Sequence, residues 1–268
     1  MPIPRVSVVM SVYNGAATLD EAIQSIRQQS FGDFELVIVD DGSTDATPAI
    51  LQRHADDDPR LVLLAHANRG LTRSLNRGIA AARADLVARQ DADDLSQPDR
   101  LMRQVAVMDQ QPDVVLLGTG WLEATPAGLL PSRPVDRRVL GRSVFLHNPF
   151  PHTSAMFRRA AWQAVGGYDE TFETSQDFEL WMRLAERGPI DILDEPLVVR
   201  RLQANSISNR KRFRQVRNGL RARLMHPRAG LAAALTASAY QALSSSVPDW
   251  LVAAVRARRL RQATGTPF

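Results

Sequence analysis

The stretch Asp91-Ala92-Asp93-Asp94 places three carboxylates within four residues. Carboxylate oxygens are hard ligands that suit Mg²⁺ or Mn²⁺, which keep several waters and bridge to phosphate oxygens. Like charges this close raise the free energy unless a cation or hydrogen bonds compensate them. An isolated acidic cluster is more often a solvated turn that caps a helix. This cluster directly follows an apolar run typical of a buried strand, and that position favours a divalent-metal site.

Two further polar groups also follow apolar runs. Asp41 lies in the stretch 40–45, and its carboxylate could accept a hydrogen bond from the imide of a nucleotide base, because it only accepts at neutral pH. Ser43 or Thr44 is expected to cap the next helix whether or not Asp41 binds a base. Tyr13 and its neighbour Asn14 end the first apolar run. The Tyr13 ring could stack on a base or pack against the following helix.

Two single residues have competing interpretations. Asp177 begins a predicted helix, where a carboxylate is stabilised by the helix dipole whether or not it does chemistry. His152 could form a hydrogen bond in the core, contact a diphosphate, or act as a third metal ligand. A structural role for His152 is slightly favoured.

The elements that must position these residues alternate along the chain. Apolar runs predict strands at 6–12, 34–39, 61–64, 86–88 and 114–117. Helical periods predict helices at 45–54, 71–84, 160–165 and 177–187, another from Pro98, and one that starts at the capping-box pattern Thr18-Leu19-Asp20-Glu21. Such alternation is typical of an α/β fold with a parallel sheet covered on both faces. Ligands bind at the carboxyl ends of such strands, where the polar groups converge.

Composition narrows the function classes. The chain has 268 residues, of which 44% are hydrophobic and 23% charged, as in folded soluble proteins. It has no cysteine, which excludes disulfides, thiolate metal sites and a cysteine nucleophile. The first residues show no signal peptide and 229–247 is too polar for a membrane span, so a cytoplasmic location is expected. The phosphate-binding motifs of dinucleotide dehydrogenases and P-loop NTPases and the nucleophile elbow of hydrolases are absent.

Charge divides the chain into two parts. Residues 1–199 hold 19 Arg against 28 acidic residues, whereas residues 200–268 hold 13 Arg and one Lys against the single acid Asp249. This division suggests chemistry in the first part and contact with an anionic surface in the second. The basic segments 210–217 and 256–261, the latter near Trp250, suit the interface of an anionic membrane. A solvated basic helix without a partner is the alternative, and no nucleic-acid motif is present.

The motifs together resemble those of the family 2 glycosyltransferases, which are inverting enzymes of the GT-A fold that use nucleotide sugars. The resemblance covers about residues 5–205. It rests on four blocks in order: 8–14 (VVMSVYN), 39–45 (VDDGSTD), 91–101 (DADDLSQPDRL), and a later block that runs from 152–158 (HTSAMFR) through 166–168 (GGY) to 176–181 (QDFELW).

The resemblance implies a role for each matching residue. The base pocket, which holds uracil in well-studied relatives, would be lined by Ser11, Tyr13 and Asp41, with Asn14 beside them. Asp93 would bind Mn²⁺ or Mg²⁺, and Asp91 would contact the ribose or share the metal. Asp177 falls where the family places its catalytic base, which takes the proton of the acceptor hydroxyl.

The sequence departs from the family pattern at three places. Ser11 stands where many members have Pro, and Gly15-Ala16 replaces a frequent acidic residue. Gln176 replaces the Glu that commonly precedes the base. The first two changes bear on which nucleotide is bound, and the third on the surroundings of Asp177.

The predicted organisation is a GT-A α/β domain over 1–205, with a mostly parallel central sheet flanked by helices. It divides into a nucleotide-sugar half (1–120) and an acceptor half (121–205), followed by a basic helical extension (206–268).

The implied partners are a nucleotide-sugar donor, foremost a UDP-sugar, and a glycan or lipid-linked acceptor of cell-surface polysaccharide synthesis. Peripheral attachment to the inner face of the cytoplasmic membrane is a further expectation, and nucleic acid is not expected. The alternatives are a sugar-phosphate nucleotidyltransferase, although 13–16 lacks its Gly-rich basic loop, and a degenerate nucleotide-sugar-binding module.

Overall fold

The structure is a computed structural model that describes residues 2–125, 128–132, 136–201, 212–226, 228 and 230–245. Its strands are β1 (Val6–Val12), β2 (Phe34–Asp40), β3 (Leu61–Ala65), β4 (Leu86–Asp91), β5 (Leu95–Ser96), β6 (Leu116–Thr125), β7 (Gly128–Pro131), β8 (Met156–Arg158) and β9 (Ile190–Arg201). Its helices are α1 (Leu19–Arg27), α2 (Thr47–Asp57), α3 (Leu71–Ala81), α4 (Arg100–Gln110), α5 (Leu140–Ser143), α6 (Arg159–Ala164), α7 (Gln176–Ala185), α8 (Arg212–Met225) and α9 (Leu231–Ser245).

The first four strands form the parallel part of the sheet, in the order β3-β2-β1-β4. Every residue of β1 and β2 is buried, as expected for parallel strands covered on both faces. Alternate residues of β1 face opposite sides: Val9 packs in one hydrophobic cluster, and Val8 and Met10 in the other. The predicted alternation of strands and helices is confirmed in this half.

The second half turns the sheet into a mixed one. β8 pairs antiparallel with both β4 and β6, and β7 forms a hairpin with β6. β9 runs parallel to β6, with register shifts on either side of Gly120. A side chain at Gly120 would put its Cβ 2.8 Å from the carbonyl oxygen of Asp194, so glycine permits the close approach there. The mostly parallel arrangement therefore describes only the first half.

Helices cover both faces of the sheet. On one face lie α1 and α4, which bury residues such as Ile23 and Leu101. On the other lie α3, α6 and α7, where Leu75, Trp162 and Trp181 join one cluster. This second face carries the segments that lead to Asp177.

The basic C-terminal part is helical where the structure describes it. Arg223 of α8 donates to Ser238 of α9 over 3.1 Å, and α8 also contacts α7. Within the described ranges, none of the helices has the length and apolar character needed to cross a bilayer. The predicted domain boundary at 205/206, Trp250 and the segment 256–261 lie outside the described residues.

Candidate active site

The carboxyl ends of β1, β2 and β4 meet at one edge of the sheet. Ser11 of β1 is in register with Val39 of β2 on one side and with Asp91 of β4 on the other. The turn after β2 and the acidic turn after β4 therefore flank Ser11, as the strand order predicts.

Hydrogen bonds join the loop after β1 to the loop after β2. Asn14 has a left-handed φ of 50°, and its backbone N–H donates to Ser43 Oγ over 2.9 Å. Its side-chain oxygen accepts the N–H of Thr44 over 2.8 Å. The expectation that Ser43 or Thr44 caps the next helix is wrong. The Ser43 hydroxyl is used by Asn14, and Asp45 instead accepts the N–H of Thr47 over 2.9 Å.

Asp41 fixes the loop between β3 and α3. Its side chain is 3% exposed, and its two oxygens accept the backbone N–H groups of Arg69 (2.8 Å) and Gly70 (2.9 Å). His66 Nδ1 also lies 3.4 Å from Oδ1. A carboxylate has about four acceptor positions, so acceptor capacity remains for a ligand. Tyr13 is 52% exposed at the same edge, so its ring is accessible for stacking.

Three polar side chains hold the acidic turn 91–94 in place. Arg89, 1% exposed, donates through Nη2 to Asp91 Oδ1 over 2.6 Å. Gln90 donates to the carbonyl of Asp94 over 2.8 Å. The Thr18 hydroxyl donates to the carbonyl of Ala92 over 3.0 Å. Thr18 makes no side-chain cap, so the capping-box prediction is wrong: its hydroxyl holds the acidic turn instead.

The carboxyl groups of this turn differ in pKa. Burial raises the pKa of Asp93 to about 6, together with the negative charge of Asp91. Burial and both neighbouring carboxylates raise the pKa of Asp94 to about 8. The pKa of Asp91 is lowered, because Arg89 and other cations outweigh its burial. Crowded carboxylates of this kind are stabilised by a divalent cation.

The donor set fits Mg²⁺ or Mn²⁺, which commonly use one or two carboxylates plus substrate phosphates. Asp91 and Asp93 supply such a pair, whereas Asp94 already accepts the N–H of Arg201 over 2.9 Å. In the described part of the chain, no three His, Asp or Glu side chains come together as a complete protein ligand set.

His152 lies in an aromatic environment beneath the site. Its Nε2 is 2.6 Å from the hydroxyl of Tyr168, and its ring contacts Trp181 edge-on at 5.7 Å between centroids. Burial, then the charge of Arg89, lowers the pKa of His152 to about 4, so the ring is neutral near pH 7. Because Tyr168 uses Nε2, only Nδ1 remains for a metal, and this geometry suits the structural role.

Asp177 lies in the first turn of α7, where the helix dipole favours its charge. The preceding Ser175 has a left-handed φ of 60°. Asn148 donates through Nδ2 to Asp177 Oδ2 over 2.6 Å. Thr153 Oγ1 accepts the backbone N–H of Asp91 over 3.2 Å, and the ring of the neighbouring His152 contacts Trp181 of α7. The fold thus packs the helix of the predicted base against the segment that contacts the acidic turn, although 86 positions separate Asp91 and Asp177 in the sequence.

Helix α8 holds two segments next to the predicted base: the one before Asp177 and the one before Asn148, which donates to Asp177. Asn218 donates to the carbonyl (3.2 Å) and the hydroxyl (3.0 Å) of Thr174. Arg223 donates through Nε and Nη2 to the carbonyl of Leu146, over 3.0 and 2.7 Å. Leu146 precedes Asn148 by two positions, so the donor to Asp177 is anchored as well.

Sequence reasoning missed several of these residues. Arg89 had a usable signal, since it is a cation directly after the predicted strand 86–88. Tyr168 belongs to the motif 166–168 (GGY) but was given no role, and Asn148, Asn218 and Arg223 carried no local signal. Their roles depend on contacts between distant segments.

Comparison with known proteins decides the family. A model of the family described as "Glycosyl transferase family 2" matches residues 7–163, which is more than half of the chain. The chain belongs to this family. The match includes the loop after β1, Asp41 and the acidic turn.

Two relatives of this family 2 glycosyltransferase share much of its length. The putative glycosyltransferase EpsE of Bacillus subtilis (strain 168) is 37% identical over 194 residues, covering 69% of this chain and 68% of its own. The amylovoran biosynthesis glycosyltransferase AmsE of Erwinia amylovora is 28% identical over 218 residues, covering 79% and 82% respectively.

A solved structure confirms the GT-A fold of this family 2 member. The mannosyltransferase PcManGT from Pyrobaculum calidifontis, in complex with GDP-Man and Mn²⁺, has a TM-score of 0.70 and 23% sequence identity. The similarity covers 97% of this chain and 81% of that one.

Proposed function

We propose that this glycosyltransferase transfers a sugar from a nucleoside-diphosphate donor to a glycan or lipid-linked acceptor in cell-surface polysaccharide synthesis, with inversion at the anomeric carbon. The observation that carries the proposal is that one short segment contacts both sides of the site: Thr153 accepts the N–H of Asp91 over 3.2 Å, and the ring of the neighbouring His152 contacts Trp181 of α7, the helix whose first turn holds Asp177. The relative AmsE, named for amylovoran biosynthesis, supports the acceptor class.

The donor binds at the edge formed by the loops after β1 and β2. Tyr13 stacks on the base, Asp41 accepts from its imide, and Ser11 and Asn14 complete the pocket. Asp41 is held by two backbone N–H groups, so its carboxylate is oriented before the ligand arrives. UDP is the nucleotide we propose, on the resemblance to well-studied relatives. The mannosyltransferase structure contains GDP-Man, so GDP is the alternative nucleotide to test.

Asp93 and Asp91 would hold Mn²⁺ or Mg²⁺. Such a cation supplies charge neutralisation for the diphosphate leaving group. Arg89 keeps Asp91 ionised and oriented through the 2.6 Å hydrogen bond, and Thr18 and Gln90 keep the turn in one conformation.

Asp177 takes the proton from the acceptor hydroxyl as that oxygen attacks the anomeric carbon. The bond from the acceptor oxygen to the anomeric carbon forms on the face opposite the bond to the diphosphate, which breaks. One displacement of this kind inverts the configuration. Asn148 holds one oxygen of Asp177 and leaves the other to accept the proton.

The proposed place of action is the inner face of the cytoplasmic membrane, where nucleotide sugars and lipid-linked acceptors are both accessible. The excess of 14 basic residues over one acidic residue in 200–268 supports attachment to an anionic surface.

The test separates donor binding from transfer. Thermal shift with UDP, GDP, dTDP and CMP, each with and without Mn²⁺, identifies the nucleotide. Release of that nucleotide from its sugar donors, with bacterial membrane lipids as acceptor, measures transfer. Asp177→Asn is expected to keep the thermal shift and lose transfer, while Asp93→Asn loses metal dependence and transfer. Asp85→Asn, at a side chain that is 86% exposed, is the control.

Near-normal turnover of Asp177→Asn would refute the base assignment. The absence of a thermal shift with every nucleotide would instead support a degenerate binding module.

A further inference from the structure

Exposed hydrophobic side chains concentrate in the C-terminal helical hairpin, which we define as α8 and α9. Of the twelve large hydrophobic residues exposed in the described part of the chain, seven lie between 213 and 243. They are Phe213, Leu224, Met225, Leu231, Leu235, Tyr240 and Leu243. Exposure reaches 94% for Phe213 and 71% for Leu243. A cluster this dense marks an interaction surface more often than scattered apolar residues do.

Helix α9 has one packed side and one open apolar side. Ala234, Ala237 and Ser238 are buried on the side that faces α8. Leu231, Leu235 and Leu243 are spaced by four and eight positions, which puts them along one side of a helix. The helix contains no charged residue from Leu231 to Ser245.

Helix α8 and the turn after it add cations to the surface of the hairpin. Arg214, Arg217, Arg221 and Arg228 are exposed, although Arg214 pairs with Glu173 and Arg221 lies over the ring of Phe172. Residues 212–245 contain no acidic residue. Two such hairpins would repel each other, so the charge argues against a second copy of this chain as the occupant. The basic segment 256–261 would be repelled in the same way. The surface is both positively charged and apolar, and an anionic partner with an apolar layer matches both properties.

We propose that the hairpin docks on an anionic lipid bilayer. The leucines of α9 enter the boundary between headgroups and acyl chains, and the guanidinium groups of α8 lie at the lipid phosphates. This assignment rests on the proposed function, because it gives the membrane a specific contact surface on the transferase.

The hairpin is also joined to the segment that carries the proposed base. Ser175 donates to the carbonyl of Gln215 over 3.3 Å, and Asn218 holds Thr174. Asp177 follows two positions after Ser175. The element that docks on the membrane is therefore the one that holds the segment of Asp177, the proposed base for a lipid-linked hydroxyl.

The test is flotation of the full chain with vesicles of phosphatidylcholine alone or with phosphatidylglycerol added. Leu235→Gln with Leu243→Gln removes two exposed side chains, so folding is retained. We expect the bound fraction on anionic vesicles to fall about tenfold or more, because each leucine loses its transfer into the apolar layer. The control, Met102→Gln with Leu129→Gln, changes two exposed side chains of 43% and 51% elsewhere and is expected to float like the wild type. Arg217→Gln with Arg221→Gln is expected to weaken flotation on anionic vesicles only, and added salt to do the same.

Equal flotation of the leucine variant and the wild type would overturn the proposal. If that variant instead changes the molecular mass in solution, the face is an interface between two copies. If it lowers the melting temperature without changing flotation, the rest of the chain covers the face. The nucleotide thermal shift is measured on the same variants and stays unchanged if only this inference fails.

Discussion

Arg89 and Asp91 face the same side of β4, and the buried guanidinium donates to the carboxylate that opens the acidic turn, over 2.6 Å. Residues two apart on a strand share a face, so the strand itself sets this pair in position. Arg89 also donates to the carbonyl of Val9 on the neighbouring strand over 3.2 Å. The Arg89 guanidinium therefore connects the carboxylate of Asp91 to the backbone of the neighbouring strand β1.

Arg89→Lys is expected to weaken Mn²⁺-dependent nucleotide binding by about 10- to 100-fold, since a hydrogen bond to a charged group contributes about 1.5–3 kcal/mol. Lysine keeps the charge and lacks the planar fork that reaches both Val9 and Asp91. Isothermal titration of the nucleotide at saturating Mn²⁺ measures the change. Arg83→Lys, which alters the ion pair with Glu35 at the amino end of β2, is the control and is expected to bind normally. Unchanged affinity of Arg89→Lys would show that the pair does not position the turn.

Asn148→Ala is expected to reduce turnover by about tenfold with donor affinity unchanged, because an unheld base loses its alignment with the acceptor. Asn148 is exposed, so its removal leaves the fold intact. Asn148→Asp places a like charge beside Asp177 and is expected to reduce turnover further. Steady-state kinetics with saturating donor measures both variants, with Gln52→Ala on α2 as control. The hydrogen bond would have no positioning role if both variants kept wild-type turnover.

The strands of the parallel half could be predicted because each is buried on both faces and reads as a continuous apolar run. β9 could not. It contains Asp191, Asp194, Glu195 and Pro196, and its pairing with β6 shifts register around Gly120. The sheet predicted from the sequence therefore ended at the strand 114–117, which corresponds to β6.

The site residues divide in the same way. The places of Asp41, Asp91 and Asp93 at one edge of the sheet were predictable, because each lies at or just after the carboxyl end of a strand. Thr18 was misread, because the local pattern cannot show that the carbonyl of Ala92, 74 positions away, competes for its hydroxyl. The roles of Asn148 and Asn218 depend on partners 29 and 44 positions away, which no local pattern encodes.

Asn218→Ala is expected to lower both the stability of the chain and its turnover. The carbonyl and the hydroxyl of Thr174 lose a buried donor, which costs about 1–3 kcal/mol. Loss of order in the segment before Asp177 is expected to lower kcat more than it changes donor affinity. Urea unfolding and kinetics on one preparation measure both effects. Asn218→Leu, which keeps most of the volume but has no donor and brings no charge into this buried position, is expected to behave like alanine. If it behaves like the wild type, shape and not the hydrogen bond secures the segment.

Asp58 provides a pH-dependent contribution to stability away from the site. Hydrogen bonds from Arg60, opposed by burial, lower the pKa of Asp58 from 3.8 to about 2, and Arg27 adds a further bond of 3.2 Å. A carboxyl whose pKa is lower in the folded state stabilises that state above the unfolded pKa and loses this effect as pH falls toward the folded pKa. Asp58→Asn is therefore expected to be about 2 kcal/mol less stable than the wild type at pH 7. The difference should shrink between pH 4 and pH 2 in urea unfolding measured across that range. A difference that persists unchanged at pH 2 would mean that the ionised carboxylate is not its source.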